Sequence, residues 1–159
     1  MDLSATIEDL EAQGYFLSAT INPETTNSQN AIVHFVLANQ PSWHLLLPVV
    51  GEDYVAGFAS GQSKGGLTWK IAPLSSVARI EDFEGHVLNT RLSKLIQTKL
   101  LQAQVTIKQV GPSPLLAAVI EGCSETLCEL RVDYFRKVQI PLSSIEFLVV
   151  DKLGNKSLA

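Results

Sequence analysis

Gly61-Gln62-Ser63-Lys64-Gly65 has the G-x-S-x-G spacing of a nucleophile elbow, in which a strained strand-to-helix turn lifts a serine above a sheet to attack an acyl carbon. The residues that follow do not continue such a turn. Leu67, Thr68, Trp69, Lys70 and Ile71 alternate as a strand does, and the one downstream histidine, His86, is too near Asp82 in sequence to complete the usual order of a full-sized hydrolase. The same glycines do not make a phosphate cradle. Lys64 follows a serine where a P-loop has glycine, and no helix start follows. The stretch reads as a hairpin loop.

Cys123 and Cys128 form a lone C-x4-C. Structural zinc takes four ligands, and no second Cys or His pair stands at a suitable spacing. Across a hairpin the two thiols can face each other and oxidise reversibly, but two small buried residues beside a turn is the plainer reading. His34, His44 and His86 are scattered singly, His34 between Val33 and Phe35 and His44 between Trp43 and Leu45, as core or interface histidines are. Glu81, Asp82 and Glu84 followed by His86 form the most titratable cluster, and three acids within four residues after a strand make a solvated loop. The sequence therefore nominates no catalytic residue, no metal-ligand set and no cofactor, and leaves the binding residues unknown.

Composition bounds the rest. The chain has 159 residues, 46% hydrophobic and 18% charged, as a folded domain does. No stretch approaches the roughly 18 to 20 apolar residues that span a bilayer, and Met1-Asp2-Leu3-Ser4 lacks the start of a signal peptide. With two cysteines in all, the expected compartment is the cytoplasm. The net charge of -4 hides a split: residues 1–85 hold three Lys/Arg against ten Asp/Glu, net -7, while residues 86–159 hold nine against six, net +3. Opposite signs favour docking of the halves, or head-to-tail association of two chains, over a range of about 8 Å at physiological salt.

Ser4 is expected to cap a helix that carries Leu3, Ile7 and Leu10 on one face and stops at Gly14. Strands are expected at Tyr15–Ile21, Ala31–Ala38, Trp43–Val49, around Tyr54, Ala56 and Phe58, and at Leu67, Trp69 and Ile71, with a long polar loop over Glu24–Asn30. After Pro73, which has no N–H for a ladder, Leu74-Ser75-Ser76 makes one tight turn into Val77–Ile80; a short helix over Ser75–Phe83 competes with it. Asn89 is expected to cap a second helix through Gln102, with Leu92, Leu95, Ile96 and Leu100 on one stripe. Strands follow at Gln104–Val110, Leu115–Glu121, Leu127–Tyr134, Phe135–Ile140 and Ile145–Val150, and the tail from Lys152 frays.

Pro-Leu-Ser-Ser occurs twice, at Pro73–Ser76 and Pro141–Ser144, each time before a β-branched residue, Val77 or Ile145. The second occurrence, with its flanking strands, resembles the closing corner of SH3-like or Sm-like small barrels. The expected fold is thus α+β and β-rich: two units of a short helix plus an antiparallel meander, over 1–85 (acidic) and 86–159 (basic), packed as one compact body. They read as tandem small barrels from an internal duplication, with one mixed sheet or barrel carrying two helices as the alternative. The expected function is a non-catalytic interaction or assembly module whose partner is another protein or a homo-oligomer, a homodimer in the simplest case. Two alternatives stand beside it. Trp43, Tyr54, Phe58 and Trp69, with Tyr15 and Phe16, can line a pocket for a small molecule or for an unrecognised enzyme. Lys108, Arg131, Arg136 and Lys137 can meet nucleic acid, against a sequence pI near 5.3.

Overall fold

Residues 4–5, 30–60, 67–112, 114–133 and 136–152 are described by a computed structural model of the chain. Among these residues twelve strands join into one sheet. They are β1 (Ser4–Ala5), β2 (Asn30–Phe35), β3 (Trp43–Val50), β4 (Tyr54–Ser60), β5 (Leu67–Pro73), β6 (Val77–Glu81), β7 (His86–Leu88), β8 (Gln104–Gln109), β9 (Leu116–Cys123), β10 (Leu127–Arg131), β11 (Lys137–Pro141) and β12 (Ile145–Lys152). One helix, α1 (Leu92–Lys99), lies among the described residues, and each Pro-Leu-Ser-Ser corner is a single 3-10 turn, at Leu74–Ser76 and Leu142–Ser144.

The pairing order within the first half is β6-β2-β3-β4-β5, and within the second it is β12-β8-β9-β10-β11, every step antiparallel. Corresponding strands also share their register. Tyr54 faces Pro73 and Phe58 faces Trp69, as Leu127 faces Pro141 and Arg131 faces Lys137. The irregular bonds recur in step: Leu74 N–H donates to the Asp53 carbonyl and Leu142 N–H to that of Thr126, Val36 to Ser76 and Val110 to Ser144, Gly51 to Tyr54 and Ser124 to Leu127. In both halves the corner serine hydroxyl reaches back to the proline carbonyl, Ser76 to Pro73 at 2.9 Å and Ser144 to Pro141 at 2.7 Å.

A bulge breaks the second and third strands of each half at the same place, between Leu46 and Val49 in β3 and between Glu129 and Leu130 of β10 against β9. In β3 it puts Leu47 at φ 49°, an uncommon state for a bulky residue. The kink lets one edge of β3 serve two neighbours, β2 along Trp43–Leu46 and then β7, in parallel, along Val49–Val50. Two glycines accommodate it. A Cβ on Gly57 would lie 3.0 to 3.2 Å from Leu45, Leu46 and Pro48, and one on Gly85 would lie 2.2 Å from the Pro48 carbonyl oxygen.

Two cores result. Val33, Phe35, Trp43, Leu45, Val55, Ala59 and Ala72 enclose the smaller, while the larger gathers α1 through Leu92, Leu95 and Ile96 with Ile107, Ile120, Leu130, Leu148 and the opposite face of β4 and β5. The β4–β5 hairpin is therefore buried on both faces, which its near-continuous apolar sequence requires.

Several expectations are revised. The sheet does not close into barrels: among the described residues β6 pairs only with β2 and β11 only with β10. The helix expected over Asn89–Gln102 is shorter. Asp53 Oδ1 accepts the Leu92 N–H at 2.7 Å, so the cap comes from the β3–β4 turn and Asn89 is not the cap. Gln102, at φ 67°, gives its N–H to the Ile120 carbonyl and leaves the helical path. The run after β6 is not wholly loop, since His86–Leu88 pairs with β3 and with β1. Ser4 stands in β1; the helix expected after it, the strand at Tyr15–Ile21, the glycine-rich loop with Ser63 and the tail beyond Lys152 lie outside the described residues.

Candidate functional site

The two halves meet strand to strand. β12, the last strand of the second half, pairs antiparallel with β5, the fourth strand of the first, with Leu148 opposite Ile71, Val149 opposite Lys70 and Val150 opposite Trp69. This seam is a strand addition within one chain. Backbone ladders give it strength, and alternate side chains feed the cores on either side. Leu148 and Val150 enter the larger core, while Phe147 points the other way and meets Trp43 edge-on at 5.3 Å. Trp43 also stacks edge-on with Phe35 at 4.7 Å and carries Lys70 Nζ over its ring at 5.3 Å, where burial lowers the Lys70 pKa. The corner completes the seam: Ser76 Oγ, buried, reaches both the Pro73 carbonyl and the Glu146 carbonyl, at 2.9 and 2.7 Å.

Both corners face one cleft of about 380 Å3, lined by Glu52, Leu74 and Ser75 from the first half and Glu125, Leu142 and Ser143 from the second. By the shared hydrogen-bond pattern these are three pairs of corresponding positions.

A second arrangement joins residues far apart in sequence. The pairing of β2 with β6 sets His34 beside Glu81, and the turn into β3 brings Ser42 to the other side of the ring: His34 Nε2 is 2.6 Å from Glu81 Oε1, and Ser42 Oγ is 3.0 Å from His34 Nδ1. The ionised carboxylate accepts Nε2–H, which leaves Nδ1 to accept the serine hydroxyl. The His34 hydrogen bond, with Arg79 3.8 Å away, holds Glu81 below the usual carboxylate range. That is the polarity of an activated serine, but the three side chains stand at the surface, Glu81 with 47% of its side chain in water, where such groups lose most of their strength. Here they tie the β2–β3 turn to β6.

The remaining sequence candidates fall apart from one another. Cys123 and Cys128 face each other across β9 and β10 as free thiols, Sγ to Sγ 3.3 Å. Cys128 donates to Cys123, which holds the Cys123 thiol below its ordinary pKa and pushes that of Cys128 up, burial adding to the latter. Their counterparts in the first half are Val50 and Val55, a cross-strand apolar pair. His44 is exposed and pairs across to Ile32; His86 opens β7. Trp43, Tyr54, Phe58 and Trp69 are core residues, and burial pushes Tyr54 up to about 12 although its hydroxyl meets Thr90 Oγ1 at 2.9 Å. The basic residues each face an acid: Lys108 meets Glu146, Arg131 and Lys137 meet Glu121, and Arg136 meets Asp133. A cleft of about 420 Å3 opens where Gln104, Ala117, Val119, Arg131, Asp133 and Asp151 surround the end of β8, β9 and β10.

Sequence reasoning missed the seam. A signal was present in Ile145-Glu146-Phe147-Leu148-Val149-Val150, apolar on both faces where the corresponding strand, Val77-Ala78-Arg79-Ile80-Glu81, is half charged.

No family model matches this chain, and neither does any curated protein or solved structure.

Proposed function

We propose that the chain is a non-catalytic, cytoplasmic assembly module: two antiparallel-meander units arisen by duplication, over 1–85 and 86–159, that work by adding strands edge to edge with a protein partner, including further copies of itself. The observation that carries this reading is the β5–β12 seam, in which the fold already uses one unit's edge to bind the other's. The matched pairing order, bulge, corner and capping bonds of the two halves support the duplication. Among the described residues the titratable groups gather in no shared, water-excluded cleft, and Lys108, Arg131, Arg136 and Lys137 each face an acid, which speaks against a basic surface for nucleic acid. Native mass spectrometry on the chain recovered from its own cells tests the proposal. The chain should appear in a stoichiometric protein assembly in which the amides of β6 and β11 exchange more slowly than in the dilute, isolated chain; recovery as a bare monomer with both edges exchanging freely would overturn it.

A second reading rests on the 420 Å3 cleft, whose size suits a small ligand and whose rim offers Arg131 beside Gln104 and apolar Ala117 and Val119. An anionic metabolite that raises the melting temperature of the wild type but not of Arg131→Ala would favour it.

A further inference from the structure

Cys123 ends β9, and Cys128 stands directly opposite it in β10. At the turn between them the Ser124 N–H donates to the Leu127 carbonyl at 2.8 Å, so Ser124 and Leu127 are a hydrogen-bonded pair. Bonded and unbonded pairs alternate along an antiparallel ladder. Cys123 and Cys128 are therefore an unbonded pair, the kind whose Cα atoms lie about 4.5 Å apart and whose side chains come closest. A disulfide spans Cα separations of about 4.4 to 6.8 Å, so this register admits one without moving the backbone. The two sulfurs, as free thiols, already lie 3.3 Å apart. We propose that Cys123 and Cys128 form a reversible oxidation site for a small hydroperoxide, Cys123 being the sulfur that attacks and Cys128 the one that resolves.

The roles follow from exposure and from the direction of the hydrogen bonds. Cys128 is 1% exposed within the larger core, whereas Cys123 is only half-buried and open to a small solute. Cys128 donates its S–H to Cys123, which favours the thiolate there, and burial opposes a thiolate at Cys128. The framework does not ask for sulfur at these positions. In the first half the same two places hold Val50 and Val55, beside the equivalent bond from the Gly51 N–H to the Tyr54 carbonyl. The site is thus a property of two side chains, independent of the seam and of the assembly reading.

The Cys123 thiolate attacks one oxygen of hydrogen peroxide: an S–O bond forms, the O–O bond breaks, and hydroxide leaves to become water. Cys128 then attacks the sulfenic sulfur of Cys123. The S–S bond forms, the S–O bond breaks, and the departing hydroxide takes the Cys128 proton as a second water. Two electrons pass from the sulfurs to the peroxide. A cellular thiol such as glutathione returns both cysteines to thiols and is itself oxidised to its disulfide.

The full-length chain, reduced and freed of reductant, is exposed to hydrogen peroxide and followed by intact mass and peptide mapping. It should lose one pair of hydrogen atoms, carry a link between residues 123 and 128 within a single chain, and regain both thiols with glutathione. Cys128→Val, which copies the first half, should stop at a Cys123 sulfenic acid that dimedone captures. In Cys123→Val the remaining thiol should be lost at least about tenfold more slowly than Cys123 is in the wild type, with circular dichroism unchanged. Oxidised glutathione at equal concentration should react more slowly than peroxide, because it must bring a bulky disulfide to a half-buried sulfur. Thiols that survive peroxide in the folded wild type, a link between chains in place of one within a chain, or equal rates of loss at 123 and 128 would each overturn the proposal, and a faster reaction with oxidised glutathione would overturn its choice of oxidant.

Discussion

The two corners spell the same four residues and make the same turn, yet one is inside the protein and the other at its surface. Ser76 is buried and serves two carbonyls, its own Pro73 and the Glu146 of another strand; Ser144 is half-buried, donates to its own Pro141, and takes a hydrogen bond from Gln109. Local sequence sets the turn, through proline's fixed φ and missing N–H. What lies beyond the turn sets its environment: β12 covers the first corner, and nothing described covers the second. The same contrast runs through the last strands, where half of the residues of β12 are buried and none of β6 is.

Cutting into the covered side should have the largest effect. Leu148 is 2% exposed at the centre of the seam, and Leu148→Ala should destabilise the protein by about 2 to 5 kcal/mol in chemical denaturation, lost contacts and a residual cavity adding together. A loss near zero would mean that the halves hold together without the seam. Next come the corners. Ser76→Ala leaves the buried Glu146 carbonyl without its side-chain donor and should cost about 1 to 2 kcal/mol, against less than about 0.5 kcal/mol for Ser144→Ala in dilute solution.

The smallest effect should come from making the two hairpins alike. Replacing Cys123 and Cys128 together by valine copies the Val50–Val55 pair and should change stability by less than about 1.5 kcal/mol. The thiols themselves differ in charge. Cys128 donates to Cys123 and so lowers the Cys123 pKa; the Cys123 thiolate should appear, and alkylate, at lower pH than an ordinary cysteine. Cys128→Val removes that donor and should move the alkylation midpoint to higher pH; a midpoint that stays put would mean that the donor has no influence on Cys123.

Much of this fold can be read from local pattern. Trp69 and Ile71 alternate with polar residues, Leu92, Leu95 and Ile96 share a stripe, and Pro73 and Pro141 stop their ladders, so each element declares itself within a few residues. What the sequence hides is set by partners far along the chain. The start of α1 depends on Asp53, 39 residues earlier, so Asn89 looked like the natural cap. The Ser42, His34 and Glu81 contact exists because β2 lies against β6, which no spacing announces. β7 escaped notice because three residues among acids carry too little pattern, and it is a strand only because the kinked β3 offers it an edge. The candidate site was least legible of all. It is made of backbone edges, which any side-chain sequence can provide.

The cap that Asp53 places on Leu92 also gives the protein a direction in time. Chains leave the ribosome amino end first, so this carboxylate and the edge of β5 exist before the helix they start and the strand they receive have been made. Severed from the earlier-made half, residues 86–159 would lose both the acceptor that begins their helix and the ladder along one side of β12.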